Sequence, residues 1–159
     1  MKKIYTVILV FFALLFISNV ASAQMTQYNW SEYDMKFSIP KSFYVEENNR
    51  SKFSAGDDNV WLTIFPQTGS PLTYDEMQGQ LSDWAGRSGV SYSTMNTDLY
   101  NNGYWGVYID GTAENGLPVF VALYIHPDYP SQYFYVWINY KSSWVDQAAE
   151  ILRSFQPTI

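Results

Sequence analysis

"VYIDGTAENGLPVFVALY", Val107 to Tyr124, consists of two alternating runs on either side of Glu114-Asn115-Gly116. Successive side chains of a strand point to opposite faces, so each run reads as a β-strand, and the Asn-Gly pair between them is a strong hairpin signal. Burial then sets the register. With Glu114-Asn115-Gly116 as a three-residue loop and Gly116 in a left-handed bulge position, Ala113 pairs with Leu117, Ile109 faces Val121 and Val107 faces Leu123. Tyr108 then meets Ala122 and Asp110 meets Phe120, so aliphatic and aromatic residues separate onto different faces. A two-residue Asn115-Gly116 turn would set Tyr108 against Leu123 and Val107 against Tyr124, mixing them. The three-residue loop is therefore the predicted register.

Outward from this hairpin, strands are predicted over about 92–100, 104–113, 118–126 and 133–140, with "NNG" as a second turn signal. Nearer the N-terminus, Met35, Phe37 and Ile39 alternate with Lys36 and Ser38 until Pro40 ends the strand. Phe43 to Glu46 is a second extended piece before the turn Glu47-Asn48-Asn49-Arg50. Phe53 begins a short strand ahead of "AGDDN", and Val60 to Phe65 alternates with both faces apolar. Gln24 to Ser31 carries little pattern and reads as an unpatterned lead-in.

Two helices complete the reading. "TYDE" provides a capping box between Thr73 and Glu76, with Asp75 favoured by the helix dipole. Met77, Leu81, Trp84 and Ala85 then form an apolar stripe, and Gly86 and Gly89 mark its end. The second helix is predicted from Ser143 to Phe155, burying Val145, Ala148, Leu152 and Phe155 before Pro157 terminates it. The fold class is α+β, an antiparallel β-sheet flanked by two main helices.

Lys2 and Lys3, the eleven-residue apolar run from Val7 to Ile17 and Ala21-Ser22-Ala23 stand in the order of a secretory signal peptide. That run is shorter than the roughly 20 residues of a spanning helix, so a stable membrane span after cleavage is not expected. The expectation is a signal peptide over residues 1–23, a single α+β domain over 24–159, and a periplasmic or extracellular location. Loss of the two lysines takes the formal charge from −6 to −8. Nucleic acid and anionic membrane surfaces offer such a chain no counter-charge. With no cysteine, the domain holds together by packing, and thiol chemistry is excluded.

"MKFSIPKSFYVEENN", "VWLTIFP", the capped helix from Thr73 and "AAEILRSFQP" resemble the PsbP-like α/β sandwich family, which includes DcrB-like periplasmic proteins. The resemblance implies a PsbP-like sandwich and a non-catalytic accessory or partner-binding role. Its partner would be an envelope or secreted protein, and no catalytic residue is carried over.

The residues themselves constrain the chemistry. His126, the one histidine, precedes Pro127, and no Gly-x-Ser-x-Gly elbow accompanies it, so a Ser-His-Asp hydrolase lacks its parts. Zinc and copper sites are poorly supplied, Asp57-Asp58-Asn59 reads as a solvated turn rather than a calcium loop, and no phosphate-cradling glycine loop occurs. No cofactor is expected. A glycosidase needs two carboxylates brought together in space, and Asp110 with Glu114 is the candidate pair.

"YFYVWINY", Tyr133 to Tyr140, places Tyr133, Tyr135, Trp137 and Asn139 on one face and Phe134, Val136, Ile138 and Tyr140 on the other. Joined to the hairpin, the reading puts Tyr104, Tyr108, Phe120 and Tyr124 on the same side as Tyr133, Tyr135 and Trp137. Two explanations are open. Either a helix covers this face, or it is an exposed platform that binds a glycan or peptide, with Asp110, Asn139 and the phenol hydroxyls fixing orientation.

Overall fold

The computed structural model describes residues 23–158, so the expected signal peptide, apart from its last residue Ala23, lies outside the described residues. The strand register around Gly116 is as predicted. Ile109 pairs with Val121, Tyr108 with Ala122 and Asp110 with Phe120; the Ala113 amide donates to the Leu117 carbonyl at 3.0 Å, and Gly116 has φ 80°. These strands, β7 (Tyr104–Thr112) and β8 (Pro118–Ile125), belong to a seven-stranded sheet. Its other members are β3 (Tyr44–Asn48), β4 (Phe53–Gly56), β5 (Val60–Thr68), β6 (Met95–Asn101) and β9 (Gln132–Tyr140). The spatial order is β3-β4-β5-β9-β8-β7-β6, with antiparallel pairing throughout.

A second sheet was not anticipated. β1 (Met25–Trp30), β2 (Met35–Pro40) and β10 (Gln156–Pro157) pair in the order β1-β2-β10. The expectation of an unpatterned lead-in over Gln24 to Ser31 is thereby corrected. An edge strand needs few buried side chains, and β1 relies on two rings: Trp30 is buried, and Tyr28 lies 5.5 Å from Phe37 and 4.8 Å from Phe53.

The main sheet has a core on each face. On one, Phe37 from the small sheet, Phe53, Tyr124, Phe134 and Phe155 pack with Ala148, Ile151 and Leu152 of α2 (Val145–Leu152). That helix is shorter than predicted, being preceded by a 3₁₀ turn at Ser142–Trp144. Phe155 falls beyond it, yet is buried with its ring 5.1 Å from both Phe37 and Tyr124.

On the opposite face, Met77, Leu81 and Ala85 of α1 (Tyr74–Arg87) pack on Val107, Ile109, Val121 and Leu123. The Glu76 carboxylate accepts from the Thr73 amide and hydroxyl, both at 2.8 Å, tying down the first turn. At the other end Gly89 takes φ 71° and the Val90 amide reaches back to the Ala85 carbonyl at 3.0 Å, a Schellman closure that stops the helix. Because its apolar stripe fits the aliphatic face of β7 and β8, α1 lies over one part of the sheet. β9 and β5 emerge beside it.

The β8–β9 pairing corrects the predicted aromatic face. Val121 stands opposite Trp137, Leu123 opposite Tyr135 and Ile125 opposite Tyr133, whereas Phe120 meets Ile138 and Tyr124 meets Phe134. Tyr133, Tyr135 and Trp137 therefore share the α1 side with the aliphatic residues of the hairpin. Tyr104, Tyr108, Phe120 and Tyr124 face α2 and the small sheet.

Candidate functional site

The aromatic row on β9 is neither hidden under a helix nor laid open as a platform. It forms the floor of a groove of about 660 Å³ beside α1. Thr63, Phe65 and Gln67 of β5 extend the floor, because Thr63 pairs with Trp137 and Phe65 with Tyr135 across the ladder. The wall comes from α1, through Gln80, Trp84 and Arg87.

Trp84 follows Leu81 by three residues and so sits on the flank of the buried stripe, turned toward β9. Its ring lies 4.7 Å from Tyr135 at 40°, 5.8 Å from Trp137 at 84° and 6.1 Å from Phe65 at 68°. These rings meet at angles and enclose a cleft. Tyr135 is buried, and Tyr133 and Trp137 are half-buried.

The polar groups are as informative as the rings. The Trp137 indole donates to Asn139 Oδ1. Since an indole can only donate, this fixes the amide, and Asn139 Nδ2 is left buried with no hydrogen-bond partner among the described residues. A buried, unpaired donor costs about 1–3 kcal/mol. The Tyr135 hydroxyl donates to Gln80 Oε1 at 3.3 Å. Burial pushes the Tyr135 phenol up in pKa and Tyr133 adds to this, while the positive charge of Arg87 opposes them. Arg87 has no ion-pair partner among the described residues.

Of the eight residues predicted to bind ligand, Tyr133, Tyr135, Trp137 and Asn139 come together in this groove. Tyr104, Tyr108, Tyr124 and Asp110 do not. Tyr124 is wholly buried and donates to the Leu152 carbonyl, Tyr104 is 2% exposed, and Tyr108 packs partly against the core on the α2 side. Asp110 accepts from the Tyr140 hydroxyl at 3.3 Å on that same face. Glu114 turns the other way: a Cβ at Gly89, just after α1, would come within 2.3 Å of its Cγ. The two carboxylates of the glycosidase reading thus point to opposite sides of the sheet. Asp57 is occupied as a turn residue, its Oδ1 accepting from the Asn59 and Val60 amides at 2.8 and 3.1 Å.

Two buried tyrosines have a measurable consequence. Burial and, secondarily, the charge of Asp34 push the Tyr104 phenol up to about 12; burial, then the Asp110 charge and hydrogen bond, do the same for Tyr140. Their unfolded counterparts ionise near 10.0. The stabilisation is therefore complete below about pH 10 and lost as the pH rises toward about 12, where the unfolded chain has released protons that the folded one retains. Urea midpoints measured alongside tyrosinate absorbance are expected to fall across that window; midpoints that stay level would contradict this assignment.

No protein-family model matches the chain, and no curated protein is significantly similar to it. Among solved structures, the fold is similar to that of the Ran-binding protein Mog1p of Saccharomyces cerevisiae, at 12% identity and a TM-score of 0.54, covering 86% of this chain and 97% of that one. A point mutant of Mog1 aligns at 11% identity with a TM-score of 0.53, covering 85% and 96%. At such identity the likeness is one of fold: an α+β protein with a mostly antiparallel sheet and two helices. The PsbP-like, DcrB-like resemblance read from the sequence is corrected accordingly, because Mog1 aligns in fold along most of the chain.

Proposed function

We propose that this chain is a non-catalytic binding module that holds an extended segment of a partner protein in the groove between α1 and strands β5 and β9. The observation that carries the reading is the groove itself, whose floor of half-buried Tyr133 and Trp137 runs beside Trp84 and Arg87 of α1. A peptide segment can place a carboxylate oxygen against Arg87 while its apolar side chains cover Trp84 and Trp137. Arg87, without an ion-pair partner among the described residues, favours an occupant that carries an acceptor oxygen. That Mog1p is a Ran-binding protein supports a protein as the kind of partner.

Export is part of the proposal. The leader of two lysines, an apolar run and small residues supports cleavage after Ala23 and a partner in the envelope or among secreted proteins. A glycan is the second occupant considered. The tilted and perpendicular rings of Trp84, Tyr135 and Trp137 suit it less than a flat stacking platform would.

The test is selection from a displayed random-peptide library against the mature chain. Enriched peptides are expected to compete with one another and to lose binding to Trp84→Ala. No enrichment, or equal binding to the variant, would contradict the reading, and a glycan-array signal in its place would favour the sugar.

A further inference from the structure

We infer that a second cavity, on the α2 side of the sheet and separate from the groove, binds an organic cation in an aromatic cage. The cavity measures about 350 Å³ and lies where the turn after β1 approaches the ends of β7, β8 and β9. Tyr33, Tyr104, His126, Tyr129 and Phe134 supply rings to its lining, and Glu32 and Asp34 supply carboxylates.

The rings are set as walls. Tyr33 stands at 84° to Phe134 at 5.5 Å, Tyr104 at 82° to Phe134 at 6.1 Å, and Tyr104 at 89° to His126 at 5.9 Å. Successive perpendicular rings enclose a guest on several sides, unlike a stacked pair. Phe134 and Tyr104 are buried and act as fixed floor, whereas Tyr129 is 58% exposed and stands at the mouth. A ring face carries negative charge from its quadrupole, so a cavity walled this way attracts alkylammonium or guanidinium groups.

The carboxylates decide the sign of the guest. Glu32 is partly committed, pairing with Arg50 at 2.9 Å, and the Tyr33 hydroxyl is held by the Arg50 carbonyl. Asp34 has no ion-pair partner among the described residues. It holds a left-handed backbone at φ 47°, anchored by the Thr158 amide on its carbonyl at 2.7 Å. His126 Nδ1 accepts from the Asp128 amide at 3.2 Å, and its ring stands at 89° to that of Tyr104. Aromatic walls beside a free carboxylate, on a protein of negative net charge, select a cation over a neutral apolar guest.

Such a cation can come from a free small ammonium compound or from a lysine side chain of a partner. Proton NMR titration of the mature chain with choline, tetramethylammonium and N-acetyl-lysine methylamide distinguishes these. Saturable upfield shifts of the guest protons are expected, with dimethylbutanol, the uncharged carbon isostere of choline, binding about tenfold more weakly. Asn tolerates the left-handed backbone at position 34 and residue 129 is at the surface, so Asp34→Asn and Tyr129→Ala should fold normally. Each is expected to weaken cation binding about tenfold. Binding of choline alone indicates a free ammonium guest, and binding of the lysine amide alone a partner's side chain. Absence of any saturable shift, equal affinity for dimethylbutanol, or wild-type affinity in both variants overturns the proposal.

Discussion

Phe37→Ala is expected to cost about 3–5 kcal/mol of folding stability, in the range for emptying a fully buried phenylalanine site. The ring has no exposure and lies 5.5 Å from Tyr28, 5.0 Å from Phe53 and 5.1 Å from Phe155. Those neighbours come from β1, from the main sheet and from the segment after α2, so no single element can relax to fill the space. Against a typical domain stability of about 5–15 kcal/mol, this is a large fraction. A urea melt should show a much lower midpoint with the slope retained. A loss below about 1 kcal/mol would mean that the small sheet is not packed on the main one as described.

Trp137→Ala is expected to lower the affinity of a groove-binding peptide by about 30-fold, or about 2 kcal/mol, while leaving the fold intact. Trp137 is half-buried at the groove floor, and its removal takes away both the ring that faces Trp84 and the donor that orients the Asn139 amide. Trp105→Ala serves as the control, since that ring sits at an exposed position on β7, away from the groove, against Tyr74. Isothermal titration with both variants checks the assignment, and equal losses would show that the effect is not local.

The hairpin was legible in the sequence because its burial pattern is one-sided within each strand: Val107, Ile109, Val121 and Leu123 alternate with residues of other character. The joining of β8 to β9 was not. Both faces of β9 contribute to a core, Tyr135 to one and Phe134, Val136 and Ile138 to the other, so alternation cannot say which face continues the hairpin's aliphatic side. Grouping rings with rings gave the wrong side for Tyr104, Tyr108 and Tyr124. β1 escaped notice for a related reason, as an edge strand buries too little to impose a pattern.

Half of the groove was nevertheless readable, since Tyr133, Tyr135, Trp137 and Asn139 share a face by period alone. The helical spacing places Trp84 with the core stripe of its helix. Its spacing held a usable clue: Met77, Leu81 and Ala85 recur every four residues, and Trp84 falls to one side of that line. Nothing in the sequence singles out Gln80, Arg87 or Thr63, because their role depends on how far α1 extends over the sheet.

The most direct test of the groove as the binding site is to follow the tryptophan indole N–H resonances while titrating a selected peptide into labelled protein spanning residues 24–159. The Trp84 and Trp137 resonances are predicted to shift and saturate together, with those of Trp30, buried on the opposite face, and Trp105 unmoved. Saturable peptide binding that leaves Trp84 and Trp137 unchanged would contradict the account.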